Sequence, residues 1–94
     1  MKPSELLARH RAAVLDLIGR YHFVNPRVFG PDDPDAALNL SVESSASSSL
    51  EGYGELATEL ENLLGRTVHV VVANHFTEFL SDEQRAALAA ARPF

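Results

Sequence analysis

The alternation of apolar and polar residues predicts a helix and then a strand in the first third of the chain. Five apolar residues share one face at helical spacing, and Ser4 precedes them as a candidate N-cap. They are Leu7, Val14, Leu17, Ile18 and Tyr21. The Asn25-Pro26 pair excludes any continuation of the helix, and residues 27–29 are predicted to form a short strand that runs into Gly30.

The middle of the chain predicts a second strand and a second helix. From Leu38 the side chains alternate, with Leu38, Leu40 and Val42 on a covered face and Asn39, Ser41 and Glu43 on a face predicted to be open. A serine-rich loop and the capping box Ser48-x-x-Glu51 then open an amphipathic helix that Gly65 ends.

The last third predicts a valine-rich strand over Thr67–Ala73 and a helix that begins at the capping box Ser81-x-x-Gln84 and runs to about Ala91. The predicted order is therefore helix, strand, strand, helix, strand, helix. It indicates an α/β (α+β) domain over residues 1–94, with a three-stranded mixed sheet and helices packed on one face.

Composition and charge exclude several classes of protein. The chain has no cysteine, and no apolar run approaches the roughly 18 residues that span a bilayer, so a cytoplasmic location without membrane contact is expected. Residues 1–29 carry five basic and two acidic side chains, whereas residues 30–65 carry eight acidic and none that are basic. So acidic a middle segment would repel a phosphate backbone, which argues against nucleic-acid binding.

The motif Arg27-Val28-Phe29-Gly30, followed by Leu38-Asn39-Leu40-Ser41-Val42-Glu43, resembles the centre of the minimal nucleotidyltransferase domain. The resemblance extends through the leucine-rich helix ending at Gly65 and the strand Val68–Val71. It implies a nucleotidyltransferase-like sheet, with magnesium and a nucleoside triphosphate as the cofactors of the family. It also implies pairing with a HEPN-type toxin.

Three positions of that family's site, and the residue that follows its glycine, are occupied by residues that do not suit its chemistry. By the resemblance, Gly30 would precede a serine but precedes Pro31, and the Asp-x-Asp pair reads Ala37-Leu38-Asn39. The third carboxylate position reads His69. The loop before Ala37 is also shorter than in the family. Magnesium favours carboxylate oxygens, so Gly30, Ala37, Asn39 and His69 are interpreted as vestigial positions with no catalytic residue among them.

Two further groups of residues are candidates for a function. Asp32, Asp33 and Asp35 form either a solvated turn or a rebuilt metal site. Phe76, Phe79 and Phe94 form either part of the core or an interface between subunits.

The sequence therefore predicts a catalytically degenerate domain that binds a protein in an antitoxin-like or regulatory role, as a homodimer or hetero-oligomer. The alternative is an active, metal-dependent nucleotidyltransferase that modifies a protein partner through Asp32, Asp33 and Asp35.

Overall fold

A computed structural model describes residues 1–74 and 80–94 of the chain. Within these residues the elements are α1 (Pro3–Arg20), β1 (Phe23–Phe29), β2 (Leu38–Ser44), α2 (Leu50–Leu64), β3 (Val68–Val72), α3 (Asp82–Ala89) and β4 (Arg92–Pro93). The first six follow the predicted order of helices and strands. None of the helices in the described part of the chain is long and apolar enough to cross a membrane.

The strands form one mixed sheet in the order β3-β2-β1-β4. β1 runs antiparallel to β2 and to β4, while β2 and β3 are parallel and are joined through α2. The predicted mixed α+β sheet is thus confirmed, but the predicted count of three strands was too low. The added strand is only two residues long and contains Pro93, so it has neither the alternation nor the composition by which a strand is recognised.

The hydrophobic core of the described residues lies between two helices and one face of the sheet. α1 contributes Val14 and Ile18, and α2 contributes Leu56 and Leu60, all fully or almost fully buried. They join the covered face of β2 and β3, whose apolar residues are Leu38, Leu40, Val42, Val68 and Val70. The alternation seen in the sequence therefore places α1 and α2 on the same side of the sheet.

The opposite face of the sheet is less open than its polar pattern predicts. Asn39 and Glu43 are half-buried there, but Ser41 between them is only 3% exposed. Glu43 accepts a hydrogen bond from Asn25 Nδ2 at 2.8 Å. The expectation of a solvent-exposed face was wrong at Ser41, because the period of a strand assigns a residue to a face and does not say what covers that face.

Two of the predicted helix starts differ from those observed. Lys2 is the N-cap of α1 and makes no side-chain capping bond, while Pro3 occupies the first helical turn. Ser49, not Ser48, caps α2, and its Oγ accepts a bond from Gly52 N at 3.0 Å. Capping of α3 by Ser81 and Gln84 is confirmed.

The first strand begins earlier than predicted, at Phe23. His22 and Asn25 have positive φ, and the pairing register with β2 shifts between Val24 and Arg27. The Asn25-Pro26 pair therefore lies within an irregular part of the strand, where a missing N–H is tolerated.

Candidate functional site

The four positions interpreted from the sequence as vestigial, Gly30, Ala37, Asn39 and His69, lie at one end of the sheet. Asn39 on β2 is in register with Phe29 on β1 and with His69 on β3. Residues in register on neighbouring strands point to the same face, so Asn39 and His69 lie side by side. Asn39 is half-buried, whereas His69 is exposed. Gly30 follows β1 and Ala37 precedes β2 at this same end.

The backbone of Gly30 lies close to the side chain of Asn39. Its φ is 85°, and a Cβ placed on it would lie 2.7 Å from Asn39 Nδ2. The Asn39 amide also donates a hydrogen bond to Ala37 O at 3.4 Å. A residue with a side chain at position 30 would be strained by its backbone and would also collide with Asn39. The turn is thus packed closely against Asn39.

Residues of the α2–β3 connection form hydrogen bonds with the loop between β1 and β2. Arg66 donates from Nη2 to Pro34 O at 2.9 Å and from Nη1 to Ala36 O at 3.4 Å, and Leu38 N bonds to Thr67 O at 3.0 Å. The guanidinium group is therefore bonded to backbone carbonyls. The sequence did not predict this role of Arg66, because Arg66, Pro34 and Ala36 belong to no common motif.

Asp32 is engaged in holding α1. Its Oδ1 accepts a hydrogen bond from Ser4 N at 2.8 Å, and its Oδ2 accepts one from Ser4 Oγ at 2.6 Å. The bond from the Ser4 hydroxyl, followed by the bond from the Ser4 backbone, holds the pKa of this carboxyl below its usual value. Asp33 and Asp35 are exposed on the same loop.

The residues at this end of the sheet do not fit magnesium. The side chains in register offer an amide and an imidazole, and Ala37 offers no ligand atom. Magnesium requires hard oxygen ligands, which are normally carboxylates, and imidazole suits softer metals. Across residues 1–74 and 80–94, no three histidine, cysteine, aspartate or glutamate side chains are grouped so as to hold a metal ion.

Of the three phenylalanines predicted as a possible interface, only Phe94 lies within the described residues. Phe76 and Phe79 lie outside the described residues. Phe94 is half-buried and packs against the core, and its backbone oxygen accepts a bond from Arg11 Nη2 at 3.4 Å. Phe94 therefore contributes part of its side chain to the packing of the core.

A groove of about 680 Å³ lies at the opposite end of β2 and β3, beside the first turn of α2. Four serines line part of it, and its apolar walls are formed by Phe23, Leu50, Tyr53, Val70, Val71, Val72 and Leu80. The Phe23 and Tyr53 rings meet edge to face, with centroids 6.5 Å apart. Sequence reasoning missed the groove. The one local signal was Leu50, an apolar residue directly after a serine-rich loop.

Comparison with known proteins places the chain in a family. A solved structure proposed to be that of a minimal nucleotidyltransferase is 33% identical to this chain and matches it with a TM-score of 0.74. The match covers 100% of this chain and 97% of the other. No protein-family profile and no curated protein matches.

The order of helices and strands and the mixed sheet define a nucleotidyltransferase-like α+β domain. With 33% identity over its whole length to that structure, the chain belongs to the minimal nucleotidyltransferase family.

Proposed function

We propose that this chain is a minimal nucleotidyltransferase domain that no longer transfers nucleotides and that acts by binding another protein. The observation that supports this most strongly is the row Phe29, Asn39 and His69, which occupies the end of the sheet where the family's carboxylates belong. Nucleotidyl transfer depends on metal ions that neutralise charge developing on the phosphates. An amide and an imidazole supply no negative charge to hold such ions.

The turn after β1 supports the same proposal. Pro31 follows Gly30 directly and has no backbone N–H to offer a phosphate. Gly30 itself approaches Asn39 so closely that a Cβ would lie 2.7 Å from the amide nitrogen. A phosphate-binding turn needs several N–H groups directed at the ligand. This turn is instead packed against its neighbouring strand.

The partner that family resemblance suggests is a HEPN-type toxin, with the chain in an antitoxin-like or regulatory role and a homodimer or hetero-oligomer as the working form. The charge distribution favours a basic contact surface on that partner, because residues 30–65 carry eight acidic and no basic side chains. Phe76, Phe79 and the exposed part of Phe94 remain candidates for the contact.

The competing proposal is metal-dependent transfer to a protein through Asp32, Asp33 and Asp35. It is weaker, because both oxygens of Asp32 already accept hydrogen bonds from Ser4. Those bonds hold the carboxylate against the start of α1 and use one lone pair of each oxygen. Asp33 and Asp35 alone supply fewer ligands than a tight magnesium site requires.

Co-purification with the HEPN-type product of a neighbouring gene, followed by light scattering, tests the proposed function. We expect a complex of defined mass and no transfer of labelled nucleotide to either protein in the presence of magnesium. Magnesium-dependent labelling that Asp32→Asn abolishes would establish the competing proposal. Absence of any complex, with the chain a monomer at tens of micromolar, would contradict the protein-binding role.

A further inference from the structure

We propose that residues 81–94 form a strap that covers the outer edge of β1 and opens as one unit while the core stays folded. The strap comprises α3 with its N-cap, β4, and the residues Ala90, Ala91 and Phe94 that adjoin them. Its opening exposes a strand edge directly before Gly30, which makes the segment a conformational device that controls access to β1. This inference does not depend on the proposed function.

The helix of the strap, α3, buries none of its eight residues. Ala87 and Leu88 are half-buried, and the other six are exposed. In contrast, α1 and α2 each bury several residues in the core. Most of the stability of a helix in a protein comes from packing of its apolar face, so packing contributes little to the position of α3.

Both ends of α3 are capped from within the strap. Ser81 Oγ accepts a hydrogen bond from Gln84 N at 3.1 Å, and Gln84 Oε1 accepts one from Ser81 N at 2.9 Å. At the other end, Ala90 N donates to Ala86 O at 3.1 Å. These bonds need no partner elsewhere in the chain. Since two residues separate α3 from β4, the two elements can move together.

The strand of the strap, β4, joins the sheet through two residues. Arg92 pairs with Val28 and Pro93 pairs with Arg27, whereas β2 pairs with each of its neighbours over five positions. Pro93 has no backbone N–H to donate to the ladder. Both residues of β4 are exposed. β4 is therefore held in the sheet more weakly than the other strands.

Beside β4, two apolar side chains hold the strap against the rest of the protein. Ala91 is 8% exposed, and Phe94 is half-buried and packs against the core. At the surface, Arg11 Nη2 donates to Phe94 O at 3.4 Å, and Arg85 on α3 makes a further contact. Exposed polar contacts contribute little to stability. Closure therefore depends on few apolar groups, so opening should cost far less free energy than unfolding the core.

Opening of the strap would change the surface at the end of β1. Arg27 and Val28 would lose their pairing partners on the outer side, and the apolar surface under Phe94 would be exposed. An unpaired strand edge beside apolar surface is where another chain can add a strand, and the closed strap prevents this. Because Phe29 and Gly30 follow directly, the strap adjoins the candidate site.

The rate of labelling of a single introduced thiol tests this opening, because the chain has no cysteine of its own. Ala91→Cys places the thiol under the closed strap, Val42→Cys places it in the core at 1% exposure, and Leu50→Cys places it at 86% exposure. Each rate is divided by that of the same thiol in the denatured chain. We expect Ala91→Cys to react about tenfold or more slower than Leu50→Cys, at a rate that low denaturant concentrations barely change. Val42→Cys should react more slowly still, with a steep dependence on denaturant, because it requires unfolding of the whole domain.

A disulfide between Arg27→Cys and Pro93→Cys, which are directly opposite in the register, tests whether α3 and β4 open together. Amide exchange at Ala90, followed by NMR, should be about fivefold or more slower in the oxidised variant than in its reduced form. Equal exchange in the two forms would show that α3 frays by itself, and would overturn the inference. So would labelling of Ala91→Cys with the rate and denaturant dependence of Val42→Cys, since the strap would then open only with the core. Labelling as fast as that of Leu50→Cys would show that the strap is not closed, and would overturn it as well.

Discussion

Asp32 and Ser4, which are 28 residues apart, join the β1–β2 loop to the start of α1 through two hydrogen bonds. Ser4 N and Ser4 Oγ donate to the two carboxylate oxygens at 2.8 and 2.6 Å. The N-terminal N–H groups of a helix lack partners within the helix, and a carboxylate there also interacts favourably with the helix dipole. Asp32 thus performs for α1 the capping that Lys2 does not.

Replacing Asp32 with asparagine should destabilise the protein at neutral pH, with a lower midpoint of thermal unfolding. Because the hydrogen bonds lower the pKa of Asp32 in the folded state, its stabilising effect is present above the unfolded value of 3.8. The effect is lost as the pH falls through the lower folded value. The difference between wild type and Asp32→Asn should therefore narrow below about pH 4.

Asp33→Asn is the control for this comparison, since it makes the same charge change in the same loop. The Asp33 side chain forms no hydrogen bond with the rest of the described chain, and only its backbone oxygen is used, by Ala36 N. We expect little change in unfolding midpoint. Equal destabilisation by the two variants would mean that the net charge of the loop, and not the bond to Ser4, is responsible.

Gly30→Ala should lower the free energy of unfolding by about 1–2 kcal/mol or more, measured by chemical denaturation. The cost has two sources, a φ of 85° and a Cβ that would lie 2.7 Å from Asn39 Nδ2. Gly54→Ala should have the opposite effect on stability. Gly54 lies within α2, and a Cβ added there would have free space around it. This substitution should stabilise the protein by about 0.5–1 kcal/mol.

A double-mutant cycle separates the two sources of strain at Gly30. Asn39→Ala removes the colliding amide and leaves the backbone conformation unchanged. Gly30→Ala should therefore cost less in the Asn39→Ala background than in the wild type. Identical costs in the two backgrounds would show that the contact with Asn39 has no energetic effect and that the turn is not fitted to this residue.

The hydroxyl of Tyr21 should titrate at an unusually high pH. This hydroxyl donates to Glu59 Oε2 at 2.8 Å, and this bond is the main reason that the Tyr21 pKa rises from 10.0 to about 12. Since the folded value is the higher one, the stabilising effect is present below about pH 10 and is lost as the pH rises through about 12. Glu59→Gln should move the Tyr21 pKa back toward 10, as followed by NMR of the ring carbons. An unchanged pKa in Glu59→Gln would rule out this partner.

Restoring aspartate at Ala37 and Asn39 should not restore nucleotide transfer, because Pro31 still offers no backbone donor. Two carboxylates on one strand face without a bound metal should instead cost of order 1 kcal/mol. Ala37→Asn with native Asn39 is the uncharged control for side-chain size. Magnesium-dependent transfer by the double variant, assayed with labelled nucleotide, would show that the carboxylates alone were limiting.

The parts of the fold that the sequence predicts best are those in which one residue type repeats at a fixed spacing. The stripe containing Leu56 and Leu60 and the alternation from Leu38 to Val42 are confirmed because burial of apolar surface follows the period of the element. β2 and β3 are parallel neighbours, as the intervening helix favours, whereas the register of Asn39 with His69 is known only from the structure.

What the sequence did not reveal depends on contacts between distant segments. The bonds that Ser4 donates to Asp32 and Arg66 donates to Pro34 join residues with no local pattern in common. β4 has only two residues and exists because β1 offers it an edge. The groove wall is likewise assembled from β1, β3 and α2, so no stretch of sequence contains it.

Calorimetric titration of the chain with ATP in the presence of magnesium tests the proposed loss of a metal-dependent site most directly. With an amide and an imidazole in place of carboxylates, and with Pro31 in the turn, the chain should show no measurable binding at about 1 mM nucleotide. Micromolar affinity that disappears when magnesium is removed would contradict the account, because it would require metal ligands that the Gly30–Asn39–His69 end of the sheet does not provide.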